Sequence, residues 1–386
     1  MLANANLVPF GTTIFTEISR LATEHGAVNL AQGFPDFDGP EHVKAAAIEA
    51  IHAGHAQYAR MLGVPALNQE IARCFTSRSG VFTDPDANVT VTSGCTEAIA
   101  AVMLGLLNPG DEVVLFEPYY DSYRACVAMA GATPRFVTMR GPGFTFDPAE
   151  LRRAVTPRTK LIVVNTPHNP TGRVLTREEL GEIASVCRQS NLVAISDEVY
   201  DRLVYDGEHI SIASLEGMAE RTVTLNSLGK AFSLTGWKIG WAIAPPALTK
   251  AIRSAHQFLT FAVSTPMQHA AAAALRSPES YFEQTRREFV ERRDLLALIL
   301  REQGYEFEVP RGGYFIYADH SKVSARLGLA DDVTLVKHLI EKVGVAAIPP
   351  SVFYENKSEG RKFVRWAFCK KIETIREAGR RMGSGL

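Results

Sequence analysis

The sequence lacks an excess of either charge: 41 lysines and arginines stand against 42 aspartates and glutamates, a formal net charge of −1. Nucleic acid or an anionic membrane surface would find no electrostatic footing on such a chain. No run approaches the ~20 consecutive apolar residues that a bilayer-spanning helix requires. The N-terminal stretch MLANANLVPFGTTIFTEI has neither the basic flank nor the unbroken apolar segment of a secretory signal. Cysteine is scarce: Cys74, Cys95, Cys126, Cys187 and Cys369 are odd in number, scattered, and form no Cys-x-x-Cys pair. That argues against a disulfide framework or a structural metal and for a reducing cytoplasm. Internal repeats and low-complexity linkers are also missing.

What is present is a chain of 386 residues, 46% hydrophobic and 22% charged, long enough for about two domains. It is organised around residues 222–244, TVTLNSLGKAFSLTGWKIGWAIA. An alternating run with Val223 and Leu225 ends in small and polar residues and presents Lys230. A second run with Ile239, Trp241 and Ile243 then leads away, so the pattern predicts strand, turn with an amine, strand. A lysine in a turn is ordinary by itself. Beside Ser227 and Gly229, with Lys238 eight residues on, it is also placed to form a Schiff base with a carbonyl cofactor.

Upstream, NVTVTSGCTEAIAAVMLGLL predicts a strand over 88–92 and an apolar helix from about Cys95. The Gly94 turn between them offers free backbone N–H groups and the positive end of a helix dipole, a phosphate cradle. It is neither a GxxxxGK[ST] loop nor a dinucleotide fingerprint. From EVVLFEP to LVAISDE strand-like and helix-like runs alternate, including a helix over 177–189, which predicts a largely parallel sheet with helices on its faces. In such sheets ligands sit at the carboxyl ends of strands. Three of those ends carry unusual residues: Tyr119 and Tyr120, then NTPHNPTG (165–172), then Asp197 and Tyr200. Near the N-terminus a short amphipathic stretch over 14–22 precedes VNLAQGFPDFDGP, whose punctuation marks a loop. A long helix is expected over 281–303, with Phe289, Leu296, Ile299 and Leu300 on its apolar stripe. The runs GYFIYAD, VAAIPP and KFVRWAFC around a helix near 332–343 read as a smaller α+β unit. Cys95 lacks a relay of histidine and asparagine and serves as a backbone donor, and His168 reads as a packing residue.

Taken together, NTPHNPTG, SDEVY and SLGKAFSLTGWKIGW, in this order and separation, resemble the class I/II aminotransferases, the fold-type I enzymes dependent on pyridoxal 5'-phosphate. The resemblance runs from VNLAQGFPDF to VRWAFCKK. LAQGFPDF, EPYYDSY, HISIASLEGM and VAAIPPSVFY are most similar to the kynurenine, glutamine and methionine aminotransferase group. It implies an α/β fold in which a large domain, with a mostly parallel seven-stranded sheet flanked by helices, carries a smaller α+β domain built from both chain ends. The implied division is 1–40 for the N-terminal segment of the small domain, 41–280 for the large cofactor-binding domain, and 281–386 for the C-terminal small domain with its linking helix.

By the same resemblance Lys230 holds the cofactor aldehyde and moves the α-proton, and Asp197 pairs with the pyridine nitrogen. Asn169 and Tyr200 bond the ring hydroxyl. The turn at Gly94, the backbone N–H groups of Cys95 and Thr96, and the side chains of Ser227 and Lys238 hold the phosphate. Tyr120 stacks on the ring, with Tyr119 as its competitor, and Tyr58 reaches the phosphate across a homodimer interface. Arg365 receives the substrate carboxylate as a bidentate fork, with Asn165 and the Gly33 backbone beside it. Glu17, Phe261, Phe353 and Tyr58 surround the side-chain pocket.

The stretch HQFLTFAVSTP contains no arginine for a second carboxylate, so the expected donor is a neutral aromatic, thioether or glutamine-like L-amino acid. Ala262 stands where kynurenine-type relatives tend to carry histidine. Arg60 as a remote anion site keeps N-succinyl-diaminopimelate in view, and a carbon–sulfur β-lyase is a further alternative. A cofactor-binding regulator would need an additional DNA-binding domain, and the chain has about 40 residues before the large domain and no basic stripe.

Overall fold

The computed structural model describes residues 4–385. Eleven strands are found among them: β1 (Val28–Asn29), β2 (Val89–Ser93), β3 (Glu112–Glu117), β4 (Thr133–Thr138), β5 (Thr159–Asn165), β6 (Val193–Asp197), β7 (Thr222–Ser227), β8 (Ile239–Ile243), β9 (Phe315–Asp319), β10 (Val345–Ala346) and β11 (Phe363–Ala367). Seven of them form one sheet in the order β2-β8-β7-β6-β5-β3-β4. Its contacts are parallel from β7 through β4, while β8 runs antiparallel to both of its neighbours. This is the mostly parallel seven-stranded sheet, flanked by helices, that the family resemblance implied.

The strand sequences explain the sheet. EVVLFE, KLIVVN and VAISD are β-branched and apolar almost throughout, and their residues are buried along nearly the whole length, as strands covered on both faces must be. Successive side chains alternate between two cores. Val114, Phe116, Ile162, Val164 and Ala194 join one, while Val113, Leu115, Leu161, Val163 and Ile195 join the other. The edge strand β4, TPRFVT, is the exception, exposed in its first half and carrying Pro134.

The first of these cores continues without a break into the C-terminal unit, through Ile316, Trp366 and Phe368. Two small ladders shape that unit: β9 pairs with β11 antiparallel, and β1 pairs with β10 in parallel although β10 comes 317 residues later in the chain. The expected long helix spans Glu279–Gln303, buries Phe282, Phe289, Leu296 and Leu300, and stops at Gly304 in the left-handed conformation. The expected strand over 88–92 begins one residue later and takes in Ser93, so Gly94 starts the helix Gly94–Leu106. Lys230 lies in a single helical turn, Leu228–Ala231, rather than a plain loop. Gly229 permits it, because a Cβ there would meet the Thr235 backbone at 3.1 Å.

Candidate active site

Three parallel neighbours, β5, β6 and β7, end together. Asn165 pairs in register with Asp197, and Asp197 with Leu225, two residues before Ser227. Their carboxyl ends open onto a cavity of about 300 Å³ lined by Phe15, Gln32 to Phe34, Gly94 to Thr96, Tyr120, Tyr123, Asn165, Asn169, Asp197, Tyr200, Ser227, Lys230, Lys238, Phe315 and Arg365, among others. Lys230 is half-buried in its wall. Its Nζ donates to Tyr314 Oη at 3.0 Å and lies 5.7 Å from the centre of the Tyr200 ring. Burial lowers the pKa of this amine below the ordinary lysine value, while Cys369 and Asp197 oppose the shift.

Asp197 is 4% exposed and accepts a 2.7 Å hydrogen bond from Tyr123 Oη and a 3.3 Å bond from the Val199 N–H. Burial nevertheless raises its pKa, so this carboxylate needs a cation in the cavity. Asn165 ties the strand ends together: its Nδ2 donates to the Asp197 carbonyl at 2.9 Å and its Oδ1 accepts from the Asn169 N–H at 2.8 Å. Asn169 Oδ1 in turn accepts from Arg365 Nη1 at 3.0 Å. The thiol of Cys95 is pushed well up by burial and is not a ready nucleophile.

The opposite wall comes from the chain ends. Arg365, on β11, is 1% exposed, and its Nη2 donates to the Ala31 carbonyl at 2.9 Å. Its guanidinium lies 4.2 Å from the Phe315 ring centre and 5.2 Å from that of Phe15. Nε has no partner, and burial depresses the group to about 10. A buried guanidinium with an unused donor is a receptor for an anion.

A phosphate fits at the helix start. Gly94 has φ +71°, and a Cβ there would meet Lys238 Nζ at 3.0 Å. Lys238 itself sits in the left-handed region at φ 55°, which turns its side chain back over the cradle. Gly240 completes the fit, since a Cβ would come within 2.5 Å of the Cys95 nitrogen. The donor set therefore suits a ligand with a phosphate, a carbonyl for Lys230 and a basic ring nitrogen for Asp197.

The family is decided by comparison: the model of the aminotransferase class I and II family matches residues 25–381. The chain is a class I/II aminotransferase. As such it is a transferase that works with pyridoxal 5'-phosphate and exchanges amino groups between amino acids and 2-oxo acids. A probable N-succinyldiaminopimelate aminotransferase of Mycobacterium tuberculosis is 46% identical over 98% of this chain and 97% of its own. Methionine aminotransferase of Escherichia coli is 37% identical over 99% and 98%. The structure of N-succinyldiaminopimelate aminotransferase from M. tuberculosis superposes with a TM-score of 0.95, covering 100% of both chains. Among the described residues no helix of this aminotransferase is long and apolar enough to cross a membrane.

Not every residue singled out in the sequence reaches the cavity of the single chain. Tyr120 lines it, whereas Tyr119 stacks on Phe136 at 5.5 Å and accepts from Arg124. Phe353 stands behind the wall, stacked on Phe15 at 5.9 Å. Glu17 is exposed on its helix, two residues after Phe15, which lines the wall. Tyr58 is 84% exposed and meets the ring edge of Phe261, itself 47% exposed, away from the lining. Arg60 pairs with Asp86 at 3.0 Å. His168 is buried against Thr171 at 2.8 Å and held down to about 3 by burial, so it is neutral at ordinary pH. Sequence reasoning did not single out Phe15, Gln32, Phe34, Tyr123, Tyr314 or Phe315 for the site. The signal that could have found the last two is Gly312-Gly313 before them, where Gly313 has φ +68° and a Cβ on Gly312 would meet Pro167 at 2.8 Å.

Proposed function

We propose that this aminotransferase moves the amino group of a neutral L-amino acid, aromatic, thioether or glutamine-like, to a 2-oxo acid in two half-reactions at the cavity of Lys230. One observation supports the choice of donor. Apart from Lys230, Lys238 and Arg365, no cationic side chain lines the cavity among the described residues, and its substrate side is Phe15, Phe34 and Phe315 with Gln32. A distal carboxylate would be desolvated there without a partner.

Pyridoxal 5'-phosphate supplies an aldehyde and a ring that withdraws electrons from the substrate's α-carbon. The chain does the rest. Lys230 Nζ would hold the aldehyde and, once free, takes and returns the α-proton, a task for which a lowered amine pKa suits it. Asp197 would keep a proton on the ring nitrogen. The N–H groups of Cys95 and Thr96 at the Gly94 turn, with Ser227 and Lys238, would hold the phosphate. Asn169 and Tyr200 would bond the ring hydroxyl, and Tyr120 would cover the ring face. Arg365, flanked by Asn165 and Gly33, binds the substrate carboxylate and so orients the α-hydrogen toward Lys230. Phe353 supports the side-chain pocket from behind Phe15.

We further propose that residues 1–40 and 281–386 move as one unit against 41–280, and that the working enzyme is a cytoplasmic homodimer with Tyr58 reaching the partner's phosphate. In that assembly Glu17 and Phe261 would border the substrate entrance. Exposure of Tyr58, Phe258 (86%), Leu259 (43%) and Phe261 supports a covered face, and five free cysteines suit a reducing compartment.

The second reading is N-succinyl-diaminopimelate as donor, favoured by the full-length relative at 46% identity. A carbon–sulfur β-lyase activity would use the same groups. The test is kcat/KM for methionine, phenylalanine, glutamine and succinyl-diaminopimelate with a common oxo acid. The first three should lead. A dominant rate with the last overturns the neutral-donor reading, and pyruvate released from a cysteine conjugate without any oxo acid favours the lyase.

A further inference from the structure

We propose that Tyr314 is a positioning residue for Lys230: its hydroxyl holds the free ε-amine and fixes it to the backbone of the substrate-side segment at Gly33. The inference rests on the reading of Lys230 as the reactive lysine, and it concerns a residue to which no role has been given above.

Hydrogen-bond accounting carries the argument. A phenol has one proton to donate and lone pairs to accept with. The Gly33 carbonyl can only accept, and it lies 2.5 Å from Tyr314 Oη, so the phenolic proton is committed there. Oη must then act as acceptor toward Lys230 Nζ at 3.0 Å. Among the described residues Nζ has no other hydrogen bond. A lysine side chain is rich in rotamers and swings freely when untethered. Pinning one N–H fixes where the lone pair of the neutral amine points, and a proton transfer depends on that direction.

The phenol is itself immobile. Tyr314 is fully buried, with its ring edge-on to Tyr200 at 5.0 Å, stacked on Phe289 at 6.2 Å and against Phe315 at 4.8 Å. Gly33 belongs to a segment held at three carbonyls within four residues: Ala31 by Arg365, Gly33 by Tyr314, and Phe34 by Lys370 Nζ at 2.7 Å. Tyr314 thus sets the amine and the substrate-carboxylate segment to one distance. The other titratable groups acting on the amine are Cys369, Asp197 and Cys95, which favour its charged form, and Arg365, which opposes it. Accepting from an ammonium stabilises that form too, so removing Oη should make the amine easier to deprotonate.

The test uses Tyr314→Phe, which keeps the ring, with two readouts. The maximal rate of the amino-acid half-reaction should fall about 10- to 100-fold with KM changed less than about threefold, the size of effect expected for a hydrogen bond to a charged group. In the full-length chain freed of cofactor, the pH midpoint for dinitrophenylation of Lys230, followed by mass spectrometry, should move down by about one unit. Substituting 3-fluorotyrosine at 314, a weaker acceptor of the same shape, should shift that midpoint less and in the same direction, and serves if the Phe variant folds poorly. An unchanged Lys230 midpoint, or a loss residing wholly in KM, overturns the proposal. Its failure is distinguishable from failure of the Lys230 reading, because borohydride would then still fix the cofactor to Lys230 of the wild type.

Discussion

The wall that carries Lys230 and Asp197 differs in construction from the one that carries Arg365. The first consists of the carboxyl ends of adjacent parallel strands, each fixed in register within a seven-stranded sheet. The second is gathered from Phe15, Gln32 to Phe34, Phe315 and Arg365, which lie near opposite ends of the chain and are joined by two-residue and five-residue ladders. A sheet end places groups to within the tolerance that proton transfer requires. A wall with fewer backbone ties can admit and release substrate.

Variants should separate the walls by which kinetic constant they touch. The largest effect is expected from Lys230→Ala, which should lower kcat for every donor by at least about 10⁴-fold and abolish borohydride fixation of the cofactor. Asp197→Asn should also act on kcat for all donors, by at least about 100-fold. A substrate-dependent loss would argue that the carboxylate serves the other wall. Arg365→Ala should act mainly through KM and lower kcat/KM about 100- to 1,000-fold, the loss expected when a buried charged receptor is removed. Arg365→Lys should restore only part, because an ammonium lacks the fork. Tyr58→Phe is the mildest at the site: the cofactor dissociation constant, from equilibrium dialysis, should rise about tenfold or less, and an enzyme that is monomeric by sedimentation would remove its reason.

His168 lies behind the first wall and should move neither constant. Its effect is on stability and pH. Held down to about 3 in the folded chain, it stays neutral where the unfolded chain takes up a proton below about 6.5. The contribution is whole above that unfolded value and is lost as pH falls toward about 3, at no more than about 1.4 kcal/mol per pH unit. His168→Gln should flatten the acid side of a urea-midpoint curve between pH 6.5 and about pH 4, and an unchanged slope would show that the imidazole is not kept neutral.

The first wall was legible in the sequence and most of the second was not. Strand ends announce themselves locally, as Asn165, Asp197 and Ser227 each close an apolar run. Arg365 was assigned through the family resemblance of VRWAFCKK, and its place between Val364 and Trp366, both fully buried, agrees with that assignment. Phe15 and Phe34 carry no such mark: their place depends on where β1 meets β10, a pairing that no local pattern encodes. The choice between Tyr119 and Tyr120 was equally non-local. Tyr119 finds Phe136 on the neighbouring strand, and the next residue faces the cavity. The helix over 177–189 was read to the residue, and its start has a chemical cause: Thr176 and Glu179 form a reciprocal cap.

The two-residue pair of β1 with β10 bears on how the molecule comes apart. The ladder closes a very long loop and has few backbone bonds to resist opening, so amides of residues 28–34 should exchange with solvent well before those of β5 to β7. On gentle warming the protein would then lose its grip on the substrate carboxylate while the sheet around Lys230 remained closed, and inactivation would precede release of the cofactor.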